Sequence, residues 1–286
     1  MKFLPFKLSL LSLCIVGLTA CQQAQIIDTP IVTANPTIES QNTDSQDQNG
    51  QDQSHQNVDS SNTANDVIFS ELDTGDFKAE DVVLLNISQW TDAHLMLSSK
   101  TDGIQILNHD GNVISKMAGQ FGRIDYRMGK NQQGQTQVLF AIQDLARQQL
   151  MLRSFDVTTQ HWSTPSYVAK RPFKTDDNCL YQDQSGYAYA FLVGEEGIGE
   201  QWLVAKDQRA LTHPQLIRRM SLPPNSNKCR VRDDDAQLFI NEEDVGIWAY
   251  PADPEADLVR QPVDMVKPFG TIQGTPTDIA VVDDQL

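Results

Sequence analysis

Carboxylates dominate the groups in this chain that could do chemistry. Of its 286 residues, 38 are Asp or Glu against 22 Lys or Arg, a formal net charge of −16. Carboxylates can hold divalent cations, and those cations bind phosphate in turn. The same balance argues against a nucleic-acid partner, which needs clustered Lys and Arg. Asp233-Asp234-Asp235 lacks the glycine and terminal-Glu spacing of a calcium loop and reads as a solvated turn. His94, His109, His161 and His213 show no metal-ligand spacing. The stretch from Gly194 to Gly199 is too negative for a phosphate loop and no helix follows it. Neither a Gly-x-Ser-x-Gly elbow nor His-Glu-x-x-His occurs. Chemistry here has to come from acids gathered by the fold.

The elements that would gather them are strands. Short apolar runs split by turn residues begin after Val67: Val82–Leu85, Leu95–Leu97, Gly103–Leu107, Val138–Ala141, Leu150–Phe155, Tyr187–Val193, Gln201–Val204, Gln237–Ile240 and Gly246–Tyr250. Asn108-His109-Asp110-Gly111 between two such runs predicts a hairpin with an Asp-Gly turn. No helical period is sustained over 11 residues, so the chain is all-β. The runs recur as units opening near Val82, Ile124, Cys179, Cys229 and Ile279, about 42, 55, 50 and 50 residues apart. Repeats of that length with about four strands each suit propeller blades, while strand spacing alone also suits a sandwich. The echo between units favours the propeller. Trp90, Trp162, Trp202 and Trp248 then read as blade-packing aromatics.

Two segments precede these units. Lys2 and Lys7 supply a short positive region before an apolar stretch from Leu8 to Leu18, too short to span a bilayer as a mature helix. It ends in Leu18-Thr19-Ala20-Cys21, which resembles a bacterial lipobox, with residues 1–20 a signal peptide and Cys21 the lipidated residue. Gln22 after it favours sorting to the outer membrane, on its periplasmic or cell-surface side. Residues 22–65 contain no Lys, Arg, Phe, Tyr or Trp and six acids, so a disordered tether is expected over 21–65. The folded domain is expected over 66–286.

The run from Asp233 to Pro254, with Glu242-Glu243-Asp244, Ile247-Trp248 and Pro251-Ala252-Asp253-Pro254, closely resembles the β-propeller phytases. Other stretches agree in order: Lys100-Thr101-Asp102-Gly103, Ile124-Asp125-Tyr126-Arg127, Cys179-Leu180-Tyr181, and Gly186 through Trp202. The resemblance covers roughly residues 78–286. It implies a six-bladed propeller, present here as about four blades and part of a fifth. It also implies phosphate release from inositol hexakisphosphate with Ca²⁺, the metal lowering the pKa of an attacking water. On it, Glu196, Glu242 and Glu243 are candidate calcium ligands, and Lys100 and Arg127 candidate phosphate-binding residues.

Several positions depart from the family pattern. Asp144 stands in the place of a phosphate-clamping Arg, Glu195 in that of a lysine, and Lys228 in that of a calcium-binding Glu. Thr175–Asn178 and Thr275–Asp278 replace two further functional segments. The domain is therefore expected to be a degenerate accessory propeller within a phytase-family product. A downstream complete propeller or a partner would close the fold and do the chemistry. An independently active calcium-dependent phytase and a non-enzymatic scaffold at the outer membrane are the alternatives. Cys179 and Cys229 open successive units at matching positions, which leaves open a disulfide or two separate buried thiols.

Overall fold

The computed structural model describes residues 76–87, 89–90, 94–194 and 196–281. The expected signal peptide and tether, Cys21 and Glu195 lie outside the described residues. What is described is four antiparallel meanders in succession. The first holds β1 (Asp81–Leu85), β2 (His94–Ser99), β3 (Gly103–Leu107) and β4 (Val113–Met117). The second holds β5 (Phe121–Lys130), β6 (Thr136–Asp144) and β7 (Gln149–Asp156), with β8 (His161–Trp162) and β9 (Ser166–Tyr167) sharing the outer edge of β7. Then come β10 (Asp177–Gln182), β11 (Tyr187–Gly194), β12 (Ile198–Lys206) and β13 (Arg209–Ser221). The last sheet is β14 (Ser226–Arg232), β15 (Gln237–Glu242), β16 (Gly246–Pro251) and β17 (Gln261–Met265).

The first strands of successive sheets lie side by side: β1 meets β5, β5 meets β10, and β10 meets β14. Each sheet runs outward from that inner strand, which is the blade arrangement of a propeller. The sheets open within three residues of the positions expected from the repeat. Residues 273–281 form no strand, although the fifth unit was expected to open near Ile279.

Packing explains the sequence pattern. Three cores separate the four sheets. Met96, Ile104, Ile106, Phe140 and Phe155 fill the first; Leu139, Leu152, Leu180, Leu192 and Trp202 the second; Tyr181, Phe191, Met220, Leu238 and Tyr250 the third. Leu139 and Phe140, adjacent on β6, point to opposite cores because side chains alternate across a strand. A sheet covered on both faces needs apolar residues at every position, hence the fully buried run Val138-Leu139-Phe140-Ala141-Ile142. On β1, Val83 packs inward while Val82 and Leu84 stay exposed at 53% and 47%.

Turn chemistry fixes the register. The β2–β3 turn places Gly103 at φ +84°, and the Asp102 carboxylate accepts from Ser99 Oγ at 3.0 Å and Thr101 Oγ1 at 2.8 Å. These hydroxyls hold the Asp102 carboxyl below its usual range. The hairpin expected at Asn108–Gly111 joins β3 and β4, closed by Gly111 N–H donating to the Asn108 carbonyl at 3.0 Å.

Candidate functional site

In an up-and-down meander, the start of the first strand and the turn between the second and third strands share one side of the sheet. One face of the propeller therefore carries Lys100 on the β2–β3 turn, Asp144 at the end of β6, Glu196 on the β11–β12 turn, and Glu242 and Glu243 at the β15–β16 turn. The fold brings most of the expected residues to one face but leaves them on separate blades. Lys100 is exposed and pairs with Glu80 at 2.7 Å. Glu242 accepts the Trp248 indole N–H at 2.7 Å. Glu243 is exposed and accepts from Asn227 Nδ2 at 3.4 Å, and Glu196 is exposed on the preceding blade. Among the described residues, no three His, Cys, Asp or Glu side chains are grouped so as to hold a metal ion. Glu196 stands on a different blade from Glu242 and Glu243.

Arg127 has a different task from the phosphate binding expected of it. It projects from the middle of β5 into the channel and is only 16% exposed. Its Nε donates to Asp233 Oδ2 at 2.6 Å and its Nη2 to Asp233 Oδ1 at 3.1 Å. Its Nη1 donates to the Tyr126 carbonyl at 2.8 Å and to Asp125 Oδ1 at 3.2 Å. Nη2 also reaches the Leu180 carbonyl. The guanidinium is thus fully engaged by protein oxygens from three inner strands, and phosphate would have to break that set. The flanking carboxylates outweigh burial and hold its pKa above the usual arginine range.

The two inner-strand cysteines form a disulfide. Cys179 on β10 and Cys229 on β14 are fully buried with Cα atoms 5.9 Å apart.

Asp144, which breaks the family pattern, also has a structural occupation. Its Oδ1 accepts the Arg147 N–H at 2.9 Å and its Oδ2 pairs with Arg147 Nε at 3.3 Å, so it caps the β6–β7 turn. Beside it lies a cleft of about 670 Å³ whose lining includes Lys100, Lys170, Arg171 and Lys174, with Glu80 and Asp144. The linker of residues 168–176 between the second and third sheets supplies three of these four cations. Gln143 Nε2 anchors that linker by donating to the Thr175 carbonyl at 2.6 Å. Arg171 is held by the buried Glu200 and stacks 5.1 Å over the Trp202 ring. Lys174 pairs with Asp176. Asp176 also lines the cleft, so four cations face three acids there, a slight positive excess in a chain of net charge −16.

A second cluster, not found from the sequence, sits at the channel mouth. Arg123 from β5 and Arg230 from β14 meet Asp81 from β1, Asp177 from β10, and Asp278. Asp81 and Asp177 also accept backbone N–H groups of the next inner strand, from Ile124 at 2.8 Å and Cys229 at 3.0 Å. Burial outweighs the arginines at Asp177 and pushes its carboxyl up to about 6. Asp81 is raised for the same reason. The available signal was an Asp recurring where three units open, at 81, 177 and 278.

Four successive blades, three of four strands and one of five, around an acid- and arginine-lined channel define a β-propeller. The family model described as Phytase matches residues 27–273, most of the chain, and the chain belongs to that family. The match begins well before residue 78, where the motif resemblance starts. Among solved structures, similarity to one described as the Dos1 propeller has a TM-score of 0.44 at 7% identity, over 68% of this chain and 48% of that one. A bifunctional GH43-CE protein of Bacteroides eggerthii gives 0.43 at 8% identity, over 71% and 29%. The chain spans less than half the length of either.

Proposed function

We propose that this chain is a phytase-family lipoprotein whose described propeller binds inositol phosphates without hydrolysing them itself, supporting or feeding a catalytic domain. The cleft bearing Lys100, Lys170, Arg171 and Lys174 carries this reading. Its cations suit a ligand with several phosphates, and its volume is in the range of small-molecule pockets. Lys100 is 62% exposed, so its pair with Glu80 is easily exchanged for a phosphate. The acids that would collect calcium are spread over different blades or already hold other groups. Family membership favours Ca²⁺ as the metal if one is used, and Glu196, Glu242 and Glu243 remain its candidate ligands.

The experiment is calorimetry of phytate binding to the full chain, paired with an assay of phosphate release with and without millimolar Ca²⁺. Binding that weakens at least tenfold in Lys100→Ala/Lys170→Ala, with no release, is expected. Calcium-dependent release would overturn the accessory role, and absence of phytate binding would overturn the binding role. Val82 and Leu84, exposed on β1, suit closure by further propeller sequence or a partner. Anchoring through a lipid on Cys21 at the outer membrane completes the proposal. Cys21→Ser should move the chain out of the membrane fraction, and unchanged fractionation would remove the anchor.

A further inference from the structure

The arginines of the channel mouth are not part of the cleft, and their three carboxylates are not equivalent. Asp81 is built in: its Oδ2 accepts the Ile124 N–H at 2.8 Å and its Oδ1 the Val82 N–H at 3.0 Å. Asp177 is built in more deeply, fully buried and accepting the N–H groups of Cys229 at 3.0 Å and Asn178 at 2.9 Å. Asp278 is of another kind. It comes from a segment without strand structure and is 49% exposed. Its one backbone bond is to its own neighbour, Ile279 N–H, at 2.8 Å. It spans the two guanidiniums, with Oδ1 3.3 Å from Arg230 Nη2 and Oδ2 3.8 Å from Arg123 Nη1.

An anion with one oxygen toward each of two guanidiniums is bound as arginines bind phosphate. Both arginines are aimed from below by acids that do not need Asp278. Arg123 Nη1 lies 3.4 Å from Asp81 Oδ1, and Arg230 Nη1 lies 3.3 Å from Asp177 Oδ2. They are 22% and 26% exposed, so a ligand reaches them once Asp278 moves aside. We propose that Arg123 and Arg230 form a phosphate seat at the channel mouth, which Asp278 fills in this structure and a phosphate group takes by displacing it. The ligand class is inorganic phosphate or a phosphate monoester. A phosphate brings more charge and one more free oxygen than the carboxylate it replaces. Asp81 and Asp177 stay behind and oppose a second anion, which limits the seat to one phosphate group.

The test is calorimetric titration of the full chain, with inorganic phosphate in one arm and phytate in the other. Asp278→Asn removes the competing charge and should tighten phosphate binding about tenfold, because the free seat becomes the dominant state. Arg230→Gln should weaken it at least tenfold, whereas Lys116→Ala, an exposed change on the outermost strand of the first sheet, should leave inorganic phosphate binding unaltered. Tightening in both arms assigns the seat to any phosphate, and tightening by phytate alone assigns it to phosphate esters. Equal affinity of the parent and Asp278→Asn in both arms overturns the proposal, as does parent-like binding by Arg230→Gln. If Arg230→Gln does not fold, the Asp278→Asn comparison decides alone, since that side chain touches no core residue. Failure of the cleft reading would appear instead as phytate binding insensitive to Lys100 and Lys170.

Discussion

Asp177 occupies the place where buried charge and pH meet most directly in this molecule. Its carboxyl, pushed up to about 6 by burial, keeps its proton in the folded chain at pH values where the unfolded chain, near 3.8, has lost it. The folded state binds more protons in that window, so stability contributed by this group is full below about pH 4 and falls as pH rises to about 6. The total loss is roughly 3 kcal/mol, because each pH unit between those two values costs about 1.4 kcal/mol. Asp177→Asn should remove that slope. Urea melts at pH 4, 5, 6 and 7 check it, and identical pH dependence in parent and variant would contradict the assignment. Little of this is legible in the sequence. Lys100 and the Glu242-Glu243 pair are readable because they sit in a local motif. The meeting of Arg123, Asp177 and Asp278 depends on three blades closing around one axis, which no local window of sequence contains.

At the scale of single elements, the tight turns carry most of the readable information. Lys100-Thr101-Asp102-Gly103 reads as a turn, and the structure gives the reason for its glycine. At φ +84° a Cβ on Gly103 would lie 2.2 Å from the Met117 carbonyl oxygen, so both backbone strain and a clash oppose any side chain. Gly103→Ala should cost about 2–3 kcal/mol and lower the melting temperature by several degrees; calorimetric melting reads it directly. The disulfide between β10 and β14 closes a loop of 50 residues in separation, and losing it in Cys179→Ala/Cys229→Ala should cost about 4 kcal/mol on the chain-entropy estimate. A smaller drop in denaturant midpoint would mean the reduced chain keeps its inner strands together when unfolded. The element that the sequence hides is β13. Its 13 residues, Arg209–Ser221, are mostly polar and include Pro214, which reads as linker. As the outermost strand of its sheet it needs only one covered edge, and such edges tolerate proline and charge.

For the whole molecule, the repeat is legible because blade spacing is a property of the chain, and the three cores explain why apolar runs are densest in the middle two sheets. Closure is not legible, because it depends on contacts between distant blades. Arg127 makes one that spans three sheets. Sheets arranged like repeats touch only their neighbours, so an open row of them could come apart one unit at a time from either end. Arg127 sits on the second sheet yet bonds Asp233 beyond β14 on the fourth, while also holding Leu180 on the third. Replacing it by Met leaves the half-buried Asp125 and Asp233 without their cation, a loss of up to about 3 kcal/mol, the lower end for a broken buried pair, measurable by urea denaturation. In deuterium exchange, the parent's amides on β5, β10 and β14 should then be released together, as one kinetic block. The first sheet, which neither Arg127 nor the disulfide reaches, should exchange sooner, and Arg127→Met should split the block by freeing β14 from β5.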